Sequence, residues 1–233
     1  MIFNLLQTVV DTTALTEAVA PVQQEMKLSL IDMATKGGWL MIVLLLLSVM
    51  AIYIFGSKWW MIRRASSIDK HFMKDIHDMI HDGKIKSAIA LCQKYDSPVA
   101  RLVEKGIERI GRPLQDIQTA VENMGNVEVA RLEKGLPMLA TIAGGAPMIG
   151  FLGTVTGMIE AFFRMSTAGN NIDITLLSGG IYEAMVTTVG GLFVGIIAYF
   201  GYNFLTSQIS NLVFKMERTT IEFIDMLQEP STK

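Results

Sequence analysis

The stretch LSGGIYEAMVTTVGGLFVGIIAYFGYNFL, residues 177–205, decides the fold of this chain. It is long and apolar enough to form a helix across a bilayer, which needs about 20 residues. It nevertheless contains one carboxylate, Glu183, and two adjacent hydroxyls, Thr187 and Thr188. A charge in hydrocarbon is costly, and such residues usually face a bundle interior or a water path. We therefore expect Glu183 to bind or move something within a membrane.

Two further windows predict additional spanning helices. Residues 37–57 and residues 135–159 each contain no Asp, Glu, Lys or Arg. A buried helix of a soluble protein explains one such window, but it is a weak explanation for three in one chain. We predict an all-α protein with three membrane spans, a helical cytoplasmic domain, and long helices that extend from the membrane into the cytoplasm.

The distribution of charge predicts the orientation of the spans. Residues 58–134 contain fourteen Lys or Arg, whereas residues 1–36 contain two. The first span also ends in two tryptophans and three basic residues, and basic residues close to a span favour the cytoplasmic side. The predicted order is an outer segment 1–36, a first span 37–60, a cytoplasmic helical domain 61–138, a second span 139–163, an outer loop 164–176, a third span 177–205 and a cytoplasmic tail 206–233.

The two polar segments carry weaker patterns. After Pro21, apolar residues recur at helical spacing, which is typical of an interfacial helix on the outer leaflet. An unstructured N-terminal segment fits residues 1–36 comparably well. Residues 61–138 have helical periodicity throughout. Their last helix starts near Pro113 and could run into the second span without interruption.

Several function classes find no support in the sequence. The net charge of −2 does not suggest nucleic acid, and the single Cys92 excludes an intrachain disulfide framework. His77 and His81 lie one turn apart, but without a third ligand we interpret them as a solvated helix face. No phosphate-binding, dinucleotide-binding or nucleophile motif is present. We therefore expect no enzyme, no metal and no cofactor.

Small residues form stripes on the second and third spans. A smooth stripe of this kind lets another helix backbone approach closely. Packing explains the glycines, and threonines can bond to their own helix carbonyls, but packing alone does not call for the carboxylate of Glu183. The predicted helix-packing residues are Ala146, Gly150, Gly153 and Gly157 on the second span, with Gly191 and Gly195 on the third.

The polar groups are expected at similar depths. Thr154 and Thr188 each lie three residues outward of the middle of their spans, and Glu183 lies roughly 7 Å further out at about 1.5 Å per residue. Together they could line a polar track from the outside to the middle of the membrane. One copy encloses no lumen, so we expect a homo-oligomer around a central space and another chain that supplies the missing ionisable group.

The segments MIGFLGTVTGMIEAF (148–162) and GGIYEAMVTTVGGLFVGIIAYFGYN (179–203) closely resemble the proton-channel signature of the MotA/TolQ/ExbB family. By position, the pore threonines of that family fall on Thr154 and Thr188, and its membrane glutamate falls on Glu183. Three spans with a long outer lead are more similar to ExbB or TolQ than to flagellar MotA, which has four spans.

The resemblance implies a pentamer in the inner membrane of a diderm bacterium, with a periplasmic N-terminus and a cytoplasmic C-terminus. It would house two copies of an ExbD/TolR-like single-span partner and use the proton motive force for work on a TonB/TolA-like protein. Thr154, Thr188 and Glu183, with Thr187, would form the polar wall. Both a relaying and a structural role for Glu183 stay open. The alternative is a membrane scaffold or another ion channel in which Glu183 only fixes helix pairing, and a membrane enzyme comes third.

Overall fold

A computed structural model of the chain describes residues 38–66, 71–167 and 174–228. All regular structure within these ranges is helical, which confirms the predicted all-α class. The helices are α1 Gly38–Ala65, α2 Phe72–His81, α3 Ile85–Lys94, α4 Pro98–Ile107, α5 Leu114–Glu133, α6 Leu136–Thr167 and α7 Ile174–Gln228.

Some predictions fall outside the described residues. They are the interfacial helix expected within 1–36, the middle of the loop expected at 164–176 and the end of the tail 206–233.

Long apolar helices dominate the described ranges. Three helical stretches there are long and apolar enough to cross a membrane. They are α1, the stretch Leu114–Thr167 that contains α5 and α6, and the part of α7 from Leu177 to Gln228. Apolar side chains on these helices point away from the chain, as Tyr53 does with 74 % of its surface exposed. Exposed apolar surface on this scale is unfavourable in water, so a bilayer or neighbouring chains must cover it.

Helix α1 lies parallel to α7. Near the start of α1, Met41 fills the space where Gly190 has no side chain, with its sulfur 3.1 Å from the position of a Cβ. At the other end of α1, Lys215 of α7 donates a hydrogen bond of 3.1 Å to the hydroxyl of Ser66. The paired residue numbers rise together along both helices. Helix α6 runs the opposite way, because its later residues meet the earlier residues of α7.

A two-residue break separates α5 from α6. The sequence left open an uninterrupted helix from Pro113 into the second span, and the structure has two helices there, divided at Lys134 and Gly135. Gly135 has a φ of 95°, which other residues rarely adopt. Pro137 follows in the first turn of α6, where a missing N–H is tolerated, whereas inside a continuous helix its ring would clash with the carbonyl four residues earlier.

Lysine 58 joins α1 to this break. Its Nζ atom donates to the main-chain carbonyl oxygens of Arg131 and Leu132, each at 3.3 Å, and its side chain is buried. The last carbonyls of a helix have no partner within the helix and carry its partial negative charge. The ammonium group of Lys58 therefore satisfies the end of α5 and fixes α1 beside it.

Helix α7 is longer than a bilayer is thick. Its 55 residues extend over about 80 Å, compared with about 45 Å for a bilayer with its headgroups. The far end of α7 packs on the domain formed by α2–α5. There the ring of Phe223 is fully buried and occupies the space beside Gly106, where a Cβ would lie 2.3 Å from the ring.

A buried ion pair ties α4 to α5. Arg101 donates from Nε to one oxygen of Glu128 at 2.8 Å and from Nη2 to the other at 2.7 Å. The Glu128 side chain is 3 % exposed, and Arg101 also donates to Asp96 at 2.9 Å. A paired fork of this kind satisfies both oxygens of the buried Glu128 carboxylate.

We expect Glu128→Gln to lower the free energy of unfolding by about 1.5–3 kcal/mol, because a neutral amide cannot accept both charge-assisted hydrogen bonds from Arg101. Glu108→Gln is the matched control, since Glu108 pairs with Lys105 at 2.8 Å on the surface and should change stability by less than about 1 kcal/mol. Denaturant unfolding of the purified chain in detergent, followed by far-UV circular dichroism, measures both. Equal effects of the two substitutions would contradict this account.

Cys92 reports on the same helical domain. It is 1 % exposed, and burial raises the pKa of its thiol to about 12. We expect a maleimide reagent to leave the native chain unlabelled at about pH 8 and to label the unfolded chain, since the thiolate is the reacting form. In a Cys92→Ser background, Ser87→Cys on the exposed face of α3 should label in the native state. Similar native labelling of both positions would show that the core is not closed.

The same shift predicts a direction for the effect of pH. The pKa of the folded thiol lies above its ordinary value of 9.0, so the unfolded state loses this proton first. The contribution of Cys92 to stability is therefore complete below about pH 9 and is lost as the pH rises towards about 12. Comparison with Cys92→Ser, which lacks the titrating thiol, isolates this contribution in alkaline unfolding experiments.

Candidate functional site

The backbones of α6 and α7 touch along a line of small residues. A Cβ atom on Gly150 would lie 2.9 Å from the carbonyl oxygen of Thr187 and 3.1 Å from the Cα of Gly191. On the other side, a Cβ atom on Gly191 would lie 2.6 Å from the carbonyl oxygen of Ala146. Real Cβ atoms do not occur at such distances, so this crossing requires glycine on both helices.

The contact continues in both directions from this crossing. Towards one end, Gly195 faces Pro147, whose ring would be 2.5 Å from an added Cβ. Towards the other end, Gly157 faces Ala184, whose Cβ would be 3.0 Å away. The small residues expected to pack therefore lie in this contact, and the two stripes meet each other within one chain. They are Ala146, Gly150, Gly153 and Gly157 on α6 and Gly191 and Gly195 on α7.

Two threonines meet across the same contact. The hydroxyls of Thr154 and Thr188 hydrogen-bond to each other, although the residues are 34 positions apart in the sequence. The carbonyl oxygen of Gly150 lies 3.3 Å from the Thr154 hydroxyl and 3.2 Å from the Thr188 hydroxyl. It can accept from whichever hydroxyl does not donate to the other. The pair is thus a small hydrogen-bonded unit whose direction can reverse.

The neighbouring Thr187 lies differently. Its side chain is 2 % exposed, and its hydroxyl is within 3.0 Å of the carbonyl of Glu183 and 2.9 Å of the carbonyl of Ala184, both in its own helix. It also covers Gly153, where an added Cβ would lie 2.7 Å from the Thr187 hydroxyl oxygen. Of the two adjacent threonines, Thr188 meets the hydroxyl of Thr154 and Thr187 fills the helix contact.

Glu183 lies on the side of α7 that faces α1. Its side chain is exposed in the single chain, and an added Cβ on Gly38 would lie 2.5 Å from its Oε1 atom. Gly38 is the first residue of α1 and has a φ of 63°. The carboxylate therefore sits against the start of α1, and the first N–H groups of a helix carry a partial positive charge. Sequence reasoning missed Gly38, although two glycines directly before an apolar helix are a visible pattern.

The outer face of α6 is apolar around Thr154. A groove of about 500 Å³ on this face is lined by Thr154 and by five apolar side chains, which are Phe151, Val155, Met158, Ile159 and Phe162. Phe151 and Ile159 are both strongly exposed. One side of the hydroxyl pair thus opens towards a surface that another apolar helix could cover.

This arrangement defines what the site can do chemically. Hydroxyls can pass hydrogen bonds in either direction, but they do not hold a charge near neutral pH. Glu183 is the ionisable carboxylate of the 177–205 stretch, and it lies about 7 Å along α7 from Thr188. In the described part of the chain, no cluster of His, Cys, Asp and Glu is arranged for a metal ion. The site therefore suits hydrogen-bond relay beside an ionisable group from elsewhere.

A comparison with known protein families matches the part of the chain that contains the threonine pair and Glu183. The sequence model described as the MotA/TolQ/ExbB proton channel family matches residues 94–218, which is more than half of the chain and contains Thr154, Glu183 and Thr188.

Three curated relatives illustrate the range of similarity. A biopolymer transport protein ExbB homolog of Methanothermobacter thermautotrophicus is 30% identical over 142 residues, covering 61% of this chain and 50% of its own length. An ExbB-like biopolymer transport protein of Synechocystis is 29% identical over 180 residues, covering 76% and 71%. The Tol-Pal system protein TolQ of Haemophilus influenzae is 39% identical over 85 residues, covering 36% and 37%. The matched part of the chain spans half the length of the first of these relatives.

We expect Gly153→Leu to disrupt the pairing of α6 with α7 within one chain, because a side chain there collides with Thr187. Overpacking of this kind destabilises by roughly 1–3 kcal/mol. Gly144→Leu on the same helix is the matched control, since a Cβ on Gly144 meets no atom within 4 Å. Thermal unfolding in detergent compares the two. Equal stability of both variants would argue against the contact.

Proposed function

Because the chain belongs to the MotA/TolQ/ExbB proton channel family, we propose that it is an ExbB/TolQ-like subunit of a proton-driven motor in the bacterial inner membrane. The observation that carries the proposal is the hydrogen-bonded pair of Thr154 and Thr188, held at a glycine-lined helix contact beside an intramembrane carboxylate. Such polar groups at membrane depth typically mark an ion or proton path.

Several copies, which we propose to be five, would form a housing around an ExbD/TolR-like dimer. The apolar groove beside Thr154 supports this arrangement, because it needs a cover that a neighbouring copy or a single-span partner would supply. An aspartate of the partner would take up and release the proton, and the threonine pair would offer it a hydrogen-bonded wall. The work would pass to a TonB/TolA-like protein for outer-membrane transport or envelope maintenance.

The orientation in this proposal follows from charge. The end of α1 carries Lys58, Arg63 and Arg64, and it is buried against the domain that contains the other basic residues. This favours a cytoplasmic position for the domain formed by α2–α5 and a periplasmic position for the start of α1. Protons would then reach Glu183 first and the threonine pair next.

The contact between Glu183 and Gly38 favours a structural contribution by Glu183 as well. A carboxylate at the start of a helix stabilises that helix by about 0.3–1 kcal/mol. This observation also fits the alternative function, in which the chain is a membrane scaffold or another ion channel and Glu183 only fixes helix pairing. Proton transport measurements on substituted chains separate the two functions.

We expect the double substitution Thr154→Val and Thr188→Val to lower proton flux at least about tenfold in liposomes that contain the chain and its single-span partner. The substitutions keep the shape of the side chains and remove two hydroxyls, and a barrier increase of about 1.4 kcal/mol is sufficient for this effect. Thr141→Val is the control, because its hydroxyl bonds to the carbonyl of Pro137 in its own helix at 2.8 Å.

Glu183→Gln and Gly38→Val distinguish relay from support. A relaying carboxylate predicts loss of flux in Glu183→Gln with normal assembly, whereas a supporting one predicts that both substitutions weaken assembly together. Normal flux in the double threonine variant, with the partner present and the pH gradient verified, would count against the motor proposal.

A further inference from the structure

A charged pocket lies where α1, α4 and α5 meet. It has a volume of about 260 Å³, and its charged lining residues are Arg64 of α1, Asp96 and Arg101 at the start of α4, and Glu128 and Arg131 of α5. The pocket is separate from the threonine pair, which lies in the contact of α6 with α7. Neither the threonine pair nor the family assignment gives this pocket a role.

The pocket sits at the membrane boundary. The uncharged window of α1 ends at Ser57, and Trp60 and Arg64 follow on the same helix face. Ser57 and Trp60 line the pocket together with Arg64. Tryptophan and basic residues directly after an apolar span are typical of the headgroup level of a bilayer.

An apolar stripe leads from the pocket towards the middle of the span. Leu46, Val49 and Tyr53 recur at intervals of three and four residues, and Ser57 continues the same spacing. Leu46, Val49 and Tyr53 are all exposed. A chain of methylene groups lying along this stripe would therefore end at the mouth of the pocket.

Positive charge exceeds negative charge in the pocket. Arg101 already satisfies both oxygens of Glu128 and one oxygen of Asp96. Two further arginines pair with these carboxylates at longer distances. The Nη2 atom of Arg64 lies 3.5 Å from Oδ2 of Asp96, and Nη1 of Arg131 lies 3.8 Å from Oε1 of Glu128. Their side chains are 62 % and 60 % exposed, so both guanidinium groups keep donors available.

Lys58 and Lys134 do not line the pocket, but their charges lie near that of Arg131. Lys58 donates to main-chain carbonyls of α5, which carry no full charge, and the charges of Lys134 and Arg131 lie close enough to repel it. Cations held together at this level are stabilised by an anion, and the anion that a bilayer supplies there is a lipid phosphate.

We propose that this pocket binds the headgroup of an anionic phospholipid, with the phosphate between Arg64 and Arg131 and one acyl chain along the stripe Leu46, Val49 and Tyr53. Guanidinium groups match phosphate oxygens with two parallel hydrogen bonds. The excess of positive charge in the lining repels a headgroup that carries its own cation, and this repulsion gives the site its preference for anionic lipid. The bound lipid holds the end of α1 against α4 and α5. The proposal rests on the chain spanning a membrane and is independent of motor activity.

The test uses the full chain, purified in mild detergent, stripped of lipid and titrated with phosphatidylglycerol or phosphatidylcholine. Native mass spectrometry counts the bound lipids. We expect phosphatidylglycerol to bind at least about tenfold more tightly than phosphatidylcholine, and Arg64→Gln with Arg131→Gln to remove most of this preference, since each cation near a lipid surface contributes about 1 kcal/mol. Arg63→Gln is the matched control, because Arg63 is an adjacent, exposed cation that does not line the pocket.

A second variant guards against loss of fold as an explanation. Ser57→Phe fills the mouth of the pocket without changing any charge, and it should weaken phosphatidylglycerol binding while circular dichroism stays unchanged. Equal binding of both lipids, or equal effects of the double substitution and Arg63→Gln, would overturn the proposal. Competition by inorganic phosphate at concentrations similar to those of the lipid would overturn it too, because the ligand would then be a soluble anion.

Discussion

Direct contact between the backbones of α6 and α7 is the constraint on which the rest of this structure depends. Gly150 and Gly191 meet where neither helix has room for a Cβ atom. In a membrane, where apolar side chains gain little from leaving lipid, such close packing is a main source of helix association. The same approach places Thr154 and Thr188 within hydrogen-bonding distance, so the stabilising contact and the polar site are one feature.

A second set of interactions joins the membrane helices to the domain formed by α2–α5. The break at Gly135 separates α6 from α5. Lys58 donates hydrogen bonds to main-chain carbonyls at the end of α5, just before this break. Arg101 and Glu128 fix α4 to α5 directly beside it. Lys58, Arg101 and Glu128 all have partners at this level, which helps to accommodate irregular backbone at the edge of a membrane. Movement of one helix end would therefore strain or break the hydrogen bonds that join α1, α4 and α5 here.

The sequence was sufficient for the fold class, and it pointed to the small-residue faces of α6 and α7. Charge-free windows identify long apolar helices because the bilayer sets their length, and the spacing of Gly150 and Gly153 identifies a helix face because the α-helical period is fixed. The break at Gly135 was not foreseen, since the helical periodicity of residues 61–138 continues across it. The contact of Gly38 with Glu183 depends on how α1 lies against α7, which no local pattern encodes. Thr187 and Thr188 are adjacent, so their side chains point about 100° apart around the helix. Which of the two faces Thr154 and which fills the helix contact depends on how α6 packs on α7, and only the structure gives this.

The chemistry of the site bears on the proposal that this chain works with a partner. The two hydroxyls beside the groove carry no charge and offer donors and acceptors of moderate strength that can reverse direction. A proton path built on hydroxyls therefore needs a titratable group that comes and goes. The groove beside Thr154 is lined otherwise by apolar side chains, so a helix that enters it can slide or turn without breaking strong polar bonds. A polar pair at the edge of a smooth apolar surface fits the proposed motor, in which a moving partner brings its own charge and this chain forms a fixed wall.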